Sequence, residues 1–175
     1  MNTIQRIDPP LHADEMTMLR AYLDYHRDTF RQKTADLDAA QLDTRLPPSE
    51  MTLGGMIKHL ALVEDNWFSV VFAGNDDAPV WQGVDWEADD DWDWHSASDD
   101  TPAQLRQLLE DAVAASDAIL AAADGPDAGS ALTSRETGQP KFSLRWILVH
   151  MIEEYARHNG HADLIRESID GLTGE

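Results

Sequence analysis

Residues 143–171 read SLRWILVHMIEEYARHNGHADLIRESIDG. Projected as a helix at about 100° per residue, Leu144, Ile147, Met151, Ala162, Ile165 and Ile169 fall on one stripe roughly 60° wide. The spacing therefore predicts a helix from Ser143 to Ile169 that stops at Gly171. His158 lies inside the apolar stripe. Glu154 lies at its edge beside Ile147 and Ile165, and His161, seven residues further on, is nearly aligned with it. A carboxylate and two imidazoles thus share the side that faces the core. A buried carboxylate is expensive unless something pairs with it, and a Glu/His pair four residues apart can converge on one cation.

Working outward, three more segments carry the helical period. The first runs from about Ala13 to Asp36, with Leu19, Tyr22, Leu23, His26, Phe30 and Lys33 on one face. A second runs from about Leu53 to Ala73 and ends at Gly74, with Thr52 as its N-cap and Leu53, Ile57, Leu60, Trp67, Phe68 and Val71 as its stripe. The third starts at Thr101-Pro102, a cap followed by proline in the first turn, and continues to Gly125. Helices of this length joined by irregular segments predict an all-α, antiparallel four-helix bundle, a fold whose sites are built from side chains facing into the core.

Residues 75–100 fit neither helix nor strand. They hold ten acids, no Lys or Arg, and Trp81, Trp86, Trp92 and Trp94, so about half the net charge of -20 sits in one connection. One reading is a long crossover pinned to the bundle by its tryptophans while its acids stay in water. The other is a lid over one end of the bundle, or a docking surface for a basic partner.

With 175 residues, 42% of them apolar, and six Trp, the composition is that of one folded domain spanning 1–175, its core about 14–171; whole-chain disorder is excluded. Thirty-three acids against 13 Lys and Arg repel phosphate backbones and anionic lipids, so neither nucleic acid nor membrane is the expected partner. The N-terminal Met1–Pro10 stretch lacks the basic flank and apolar run of a signal peptide, which makes the cytoplasm the expected location. Zero cysteines exclude disulfides, thiolate zinc sites and a cysteine nucleophile, so any metal must be held by His, Asp or Glu.

A third ligand should come from a facing helix. The second helix carries His59 at the border of its stripe, with Gly54-Gly55 one turn earlier leaving room for close approach. His59, Glu154 and His158 would make a His₂Glu site with open coordination positions, as catalytic metals have. The alternative is a set of core-edge histidines satisfied by ordinary hydrogen bonds. His26 reads as a satisfied core histidine, His150 as a partner of Glu153 or Glu154, and His12 and His95 as solvated. Glu64 projects into the middle of an apolar face; a salt bridge to a core-facing arginine such as Arg145 is expected, with support of His59 as the alternative.

Two segments, TLGGMIKHLA at 52–61 followed by Glu64 and Trp67-Phe68, and HMIEEYARHNGHAD at 150–163, resemble the DinB-like metal-dependent four-helix-bundle superfamily, in particular its actinobacterial mini-circle-type branch. The resemblance covers about residues 14–171. It implies that one histidine of the second helix and two residues four apart on the last helix bind a divalent metal, which matches His59, Glu154 and His158. The commonest version has two histidines on the last helix. Glu154 in place of the first is similar to the mycothiol-dependent maleylpyruvate isomerases, and so implies a zinc-like ion, with nickel or iron as alternatives, that binds a low-molecular-weight thiol. The preference for arginine over lysine fits an actinobacterial source, where that thiol is mycothiol. The expectation is a thiol-dependent S-transferase or isomerase acting on a small electrophile, with His161 or Glu153 as proton acceptor. Metal-assisted hydrolysis is one alternative, and a non-catalytic partner-binding protein using residues 75–100 is another. The frequent dimers of the superfamily imply a homodimer. Arg135 and Lys141 in the loop at 124–142 read as an anion-receiving pair or, more simply, as solvated charges.

Overall fold

In the computed structural model, which describes residues 4–173, Asp14 accepts a hydrogen bond from the Thr17 amide and starts α1 (Glu15–Thr34). Met1–Thr3, the start of the N-terminal stretch read above, and Gly174–Glu175 lie outside the described residues. A one-turn α2 (Ala39–Leu42) follows, closed by a capping box between Asp38 and Gln41. Thr52 then caps α3 (Leu53–Glu64) through the Gly55 amide. Thr101 caps α5 (Pro102–Ala122) with proline in its first turn, and Ser143 caps α6 (Leu144–Asp170), which stops at Gly171 in the left-handed region, φ 76°. Between α3 and α5 the acidic crossover forms a single helical turn, α4 (Trp92–His95), and a 3₁₀ turn over Ser96–Asp99.

The four long helices stand where the periodicity places them, with one departure. The second does not continue as an α-helix to Ala73: from Asp65 to Ala73 it winds as a wider π-helix, which ends at Gly74 with φ 77°. That widening follows directly on Glu64, which is fully buried. It lets Phe68 enter the core while Asp65 accepts the backbone amide of Ala78 at 2.9 Å.

α1 packs along α6, and α3 packs along α5 while also touching α6. Leu23 and Phe30 of α1, Leu53, Met56, Ile57 and Leu60 of α3, and Leu144, Ile147, Leu148 and Met151 of α6 are fully buried together. Because α6 is covered by α1 and α3, its buried face is wider than the predicted stripe and takes in Leu148, Tyr155 and Arg166 as well. On α1 the face is narrower than predicted, and Tyr22 is 46% exposed.

Glu64 does not pair with Arg145. Its carboxylate receives a two-pronged contact from Arg27 (Nε to Oε1 2.8 Å, Nη2 to Oε2 2.7 Å) and a hydrogen bond from the Tyr155 hydroxyl at 2.8 Å. Arg145 sits one residue into α6, at the bundle's end, and binds Glu15 and Asp127 on the surface instead. Glu64 is therefore part of the buried frame and makes no contact that would support His59.

The crossover settles largely as a pinned connection. Trp81 is buried, Trp92 and Trp94 pack against the core, and seven of the ten acids are exposed. Among the described residues no helix is long and apolar enough to cross a membrane.

Candidate metal centre

His59 projects from the middle of α3, and Glu154 and His158 from successive turns of α6, where the two helices meet. One ligand atom from each of the three lies within 4.8 Å of the others. The rings of His59 and His158 are 5.0 Å apart, and His158 Nε2 is 3.5 Å from Glu154 Oε2. These side chains line a recess rather than the deep core: 23%, 21% and 12% of His59, Glu154 and His158 is exposed.

The electrostatics suit a cation. Burial above all, and then the neighbouring His59 and His161, push His158 down to about 4, so it is neutral at neutral pH, the form in which imidazole ligates a metal. Its Nδ1 is buried and has no hydrogen-bond partner. His158 Nε2 beside the Glu154 carboxylate, with a second imidazole from His59, makes a donor set of two nitrogens and one oxygen, which fits a zinc-like ion with room for further ligands.

His59 is anchored from behind. Its Nδ1 lies 2.8 Å from Asp93 Oδ2, and Trp94 stacks on the ring with centroids 4.8 Å apart. Both come from α4, and along the sequence Asp93 is one of ten acids in the crossover. The available signal was its place between Trp92 and Trp94, because an acid flanked by two core-seeking indoles on a short turn is drawn inward with them. Gly55 makes the approach fit: a Cβ there would stand 2.7 Å from Trp94 Cε3.

Of the residues expected to move protons, His161 lies next to the triad, its ring 5.9 Å from that of His158 and its Nδ1 buried without a partner. Glu153 is half exposed and is held by Arg157 at 3.1 Å. His150 lies between Trp67 and a stacked Trp146, with Nε2 3.7 Å from Glu154 and Nδ1 3.8 Å from Glu153, beyond hydrogen-bonding reach of either. His150, Glu153 and Glu154 form a second convergent group along one face of α6. His26 is half buried and meets Tyr25 edge-on, outside both groups. His12 is exposed, and His95 is exposed and paired with Asp89. Arg135 and Lys141 are solvent-exposed. A cleft of about 490 Å³ opens between the loop before α3 and the crossover, lined by Asp43, Arg45, Met51, Asp91 and also Trp94, which joins it to the triad.

The family described as "MST: Mycothiol-S-transferase" matches residues 18–171. No curated protein matches the sequence. Among solved structures, a crystal structure described as the conserved protein of a locus from Enterococcus faecalis superposes with a TM-score of 0.63 over 92% of this chain and 100% of that one. The two are 20% identical, so the likeness is one of fold.

Proposed function

The chain belongs to the mycothiol-S-transferase family, and from that membership we propose that it transfers a low-molecular-weight thiol to a small electrophile at a divalent-metal centre held by His59, Glu154 and His158. The observation that carries the reading is the convergence of these three side chains in a partly open recess, with a neutral His158 that turns its Nε2 toward the Glu154 carboxylate. Mycothiol is the co-substrate proposed from the family, and zinc is the metal first expected for such a donor set.

A divalent cation in this site supplies Lewis acidity, which lowers the pKa of a thiol brought to it. The protein's own groups do the rest. His161 has a buried nitrogen with no partner beside the triad and accepts the proton leaving sulfur. The sulfur lone pair then forms the bond to the electrophilic carbon. The electron pair displaced from that carbon departs with a leaving group or, in an addition, takes a proton back from the His161 imidazolium. Glu153, at the rim and paired with Arg157, is the less well placed acceptor. Trp94, which borders both the triad and the cleft of about 490 Å³, sets one wall against which the substrates lie. Lacking cysteine, the chain has no thiol of its own to compete.

The test is metal content by plasma mass spectrometry of protein purified without chelator, together with consumption of mycothiol in the presence of an α,β-unsaturated carbonyl electrophile. About one equivalent of metal and thiol-dependent turnover are expected in the parent, and neither in Glu154→Ala. Metal-dependent turnover that needs no thiol would move the assignment to hydrolysis. A parent that takes up no added zinc, nickel or iron would refute the centre.

A further inference from the structure

Of the ten acids in residues 75–100, Asp93 alone is buried, 3% exposed, and its carboxylate meets the Nδ1 of His59 rather than a lysine or arginine. The nearest cation in sequence to His59, Lys58, is committed elsewhere: its ammonium binds Asp100 at 2.6 Å and lies 4.5 Å over the Trp92 ring. A buried carboxylate whose one partner is an imidazole is poorly compensated unless that imidazole carries positive charge. Two arrangements supply it. In one, His59 is protonated at both nitrogens, and its Nε2 then cannot take a metal. In the other, Nδ1 carries the hydrogen that Asp93 accepts, Nε2 is left bare, and a dication on Nε2 balances the carboxylate through the ring. The surroundings favour the second, because the His158 ring lies 5.0 Å away with its Nε2 3.5 Å from the Glu154 carboxylate, and all three side chains lie within ligand reach of one another.

Resting on the proposed metal role of His59, Glu154 and His158, we propose that Asp93 is the positioning residue of the centre. It fixes His59 in the tautomer whose Nε2 is free, Trp94 holds the plane of the ring, and the acidic crossover and the cation site therefore form as one unit. Residues 75–100 are then neither a passive strap nor a docking patch alone: they deliver the outer half of a carboxylate–histidine–metal chain.

The experiment is a Co²⁺ titration of the metal-free full chain against a competing chelator, with the visible Co²⁺ absorption recorded at saturation. The variants are Asp93→Ala, Asp93→Asn, Asp89→Asn and His59→Ala, each checked for folding by circular dichroism. Asp93→Ala is expected to weaken Co²⁺ binding roughly 10- to 100-fold. Asp93→Asn keeps an acceptor of the same shape, so it should fold, bind less tightly than the parent and shift the Co²⁺ bands, because the ligand is less basic. Asp89→Asn removes an equal charge and the analogous contact to the solvent-facing His95, and should bind like the parent. Parent-like affinity and bands in Asp93→Asn would overturn the positioning role while leaving the triad intact. So would an equal loss in Asp89→Asn, which would mark a general charge effect. Parent-like binding in His59→Ala would instead refute the underlying metal assignment.

Discussion

Glu64 and Arg27 are both at most 1% exposed and hold each other through two short contacts. Breaking one half of such a pair leaves an uncompensated charge in the core, whereas replacing both halves with apolar groups does not. Arg27→Leu strands Glu64 with the Tyr155 hydroxyl as its remaining partner and is expected to cost about 3–5 kcal/mol in urea denaturation. The double variant Arg27→Leu with Glu64→Leu should recover much of that loss. Burial and the adjacent Glu64 carboxylate push the Tyr155 hydroxyl well above its ordinary value, so it remains a donor across the usable pH range. Gly55→Ala tests the other close contact: the added methyl meets the Trp94 ring, and a loss of about 1–3 kcal/mol is expected from such overpacking. Tryptophan emission should report the displaced indole alongside a lower Tm. Glu64 visibly needs a partner in the sequence, but Arg145 looks as suitable there as Arg27, because helical projection gives the face of a residue and says nothing about which end of the bundle it occupies.

At the scale of the element, α1 is secured at both ends by different chemistry. At its start the Thr17 amide and hydroxyl bind Asp14, and the amide contact above all holds that carboxyl below its ordinary value of 3.8. A folded-state pKa below the unfolded one means that the unfolded chain binds the proton more readily. The cap therefore stabilises above the unfolded pKa and is lost as pH falls through the folded one. Asp14→Asn keeps an acceptor but no titration, so amide exchange in the first turn of α1 should lose its acid sensitivity below about pH 4. At the other end, Arg106 donates to the carbonyls of Thr34 and Leu37, and Arg166 to those of Lys33 and Ala35. Guanidinium groups satisfy the unpaired carbonyls at the negative end of the helix dipole and tie it to α5 and α6. Arg166→Ala should cost about 1.5–3 kcal/mol, with exchange accelerated first at the C-terminal end of α1. Helix caps at Thr52 and Thr101 were readable as residue types at fixed offsets, whereas the π-helical turn after Glu64 carries no such mark in the sequence.

For the whole molecule, a formal charge of -20 on 175 residues sets a repulsion that folding concentrates, most of all across the exposed acids of the crossover. Added salt shortens the reach of that repulsion to about 8 Å at physiological ionic strength. Urea midpoints should therefore rise between about 10 and 150 mM NaCl, the opposite of what a fold held mainly by surface ion pairs would do. The likeness to a fold shared at 20% identity over 92% of this chain fits the same view, since an apolar period and a few caps specify the bundle while the surface is free to carry any charge.

The sequence by itself determined the four long helices, the side of α6 on which Glu154, His158 and His161 lie, and the exclusion of cysteine as ligand or nucleophile. These follow from periodicity and composition, which are properties of the chain read along its length. The tertiary structure decided which arginine meets Glu64, that His59 stands within ligand reach of α6, and that Asp93 leaves its fellow acids to meet His59. Each of those is a contact between residues 34 or more positions apart, and no local pattern encodes a pairing that arises only when separate helices are packed side by side.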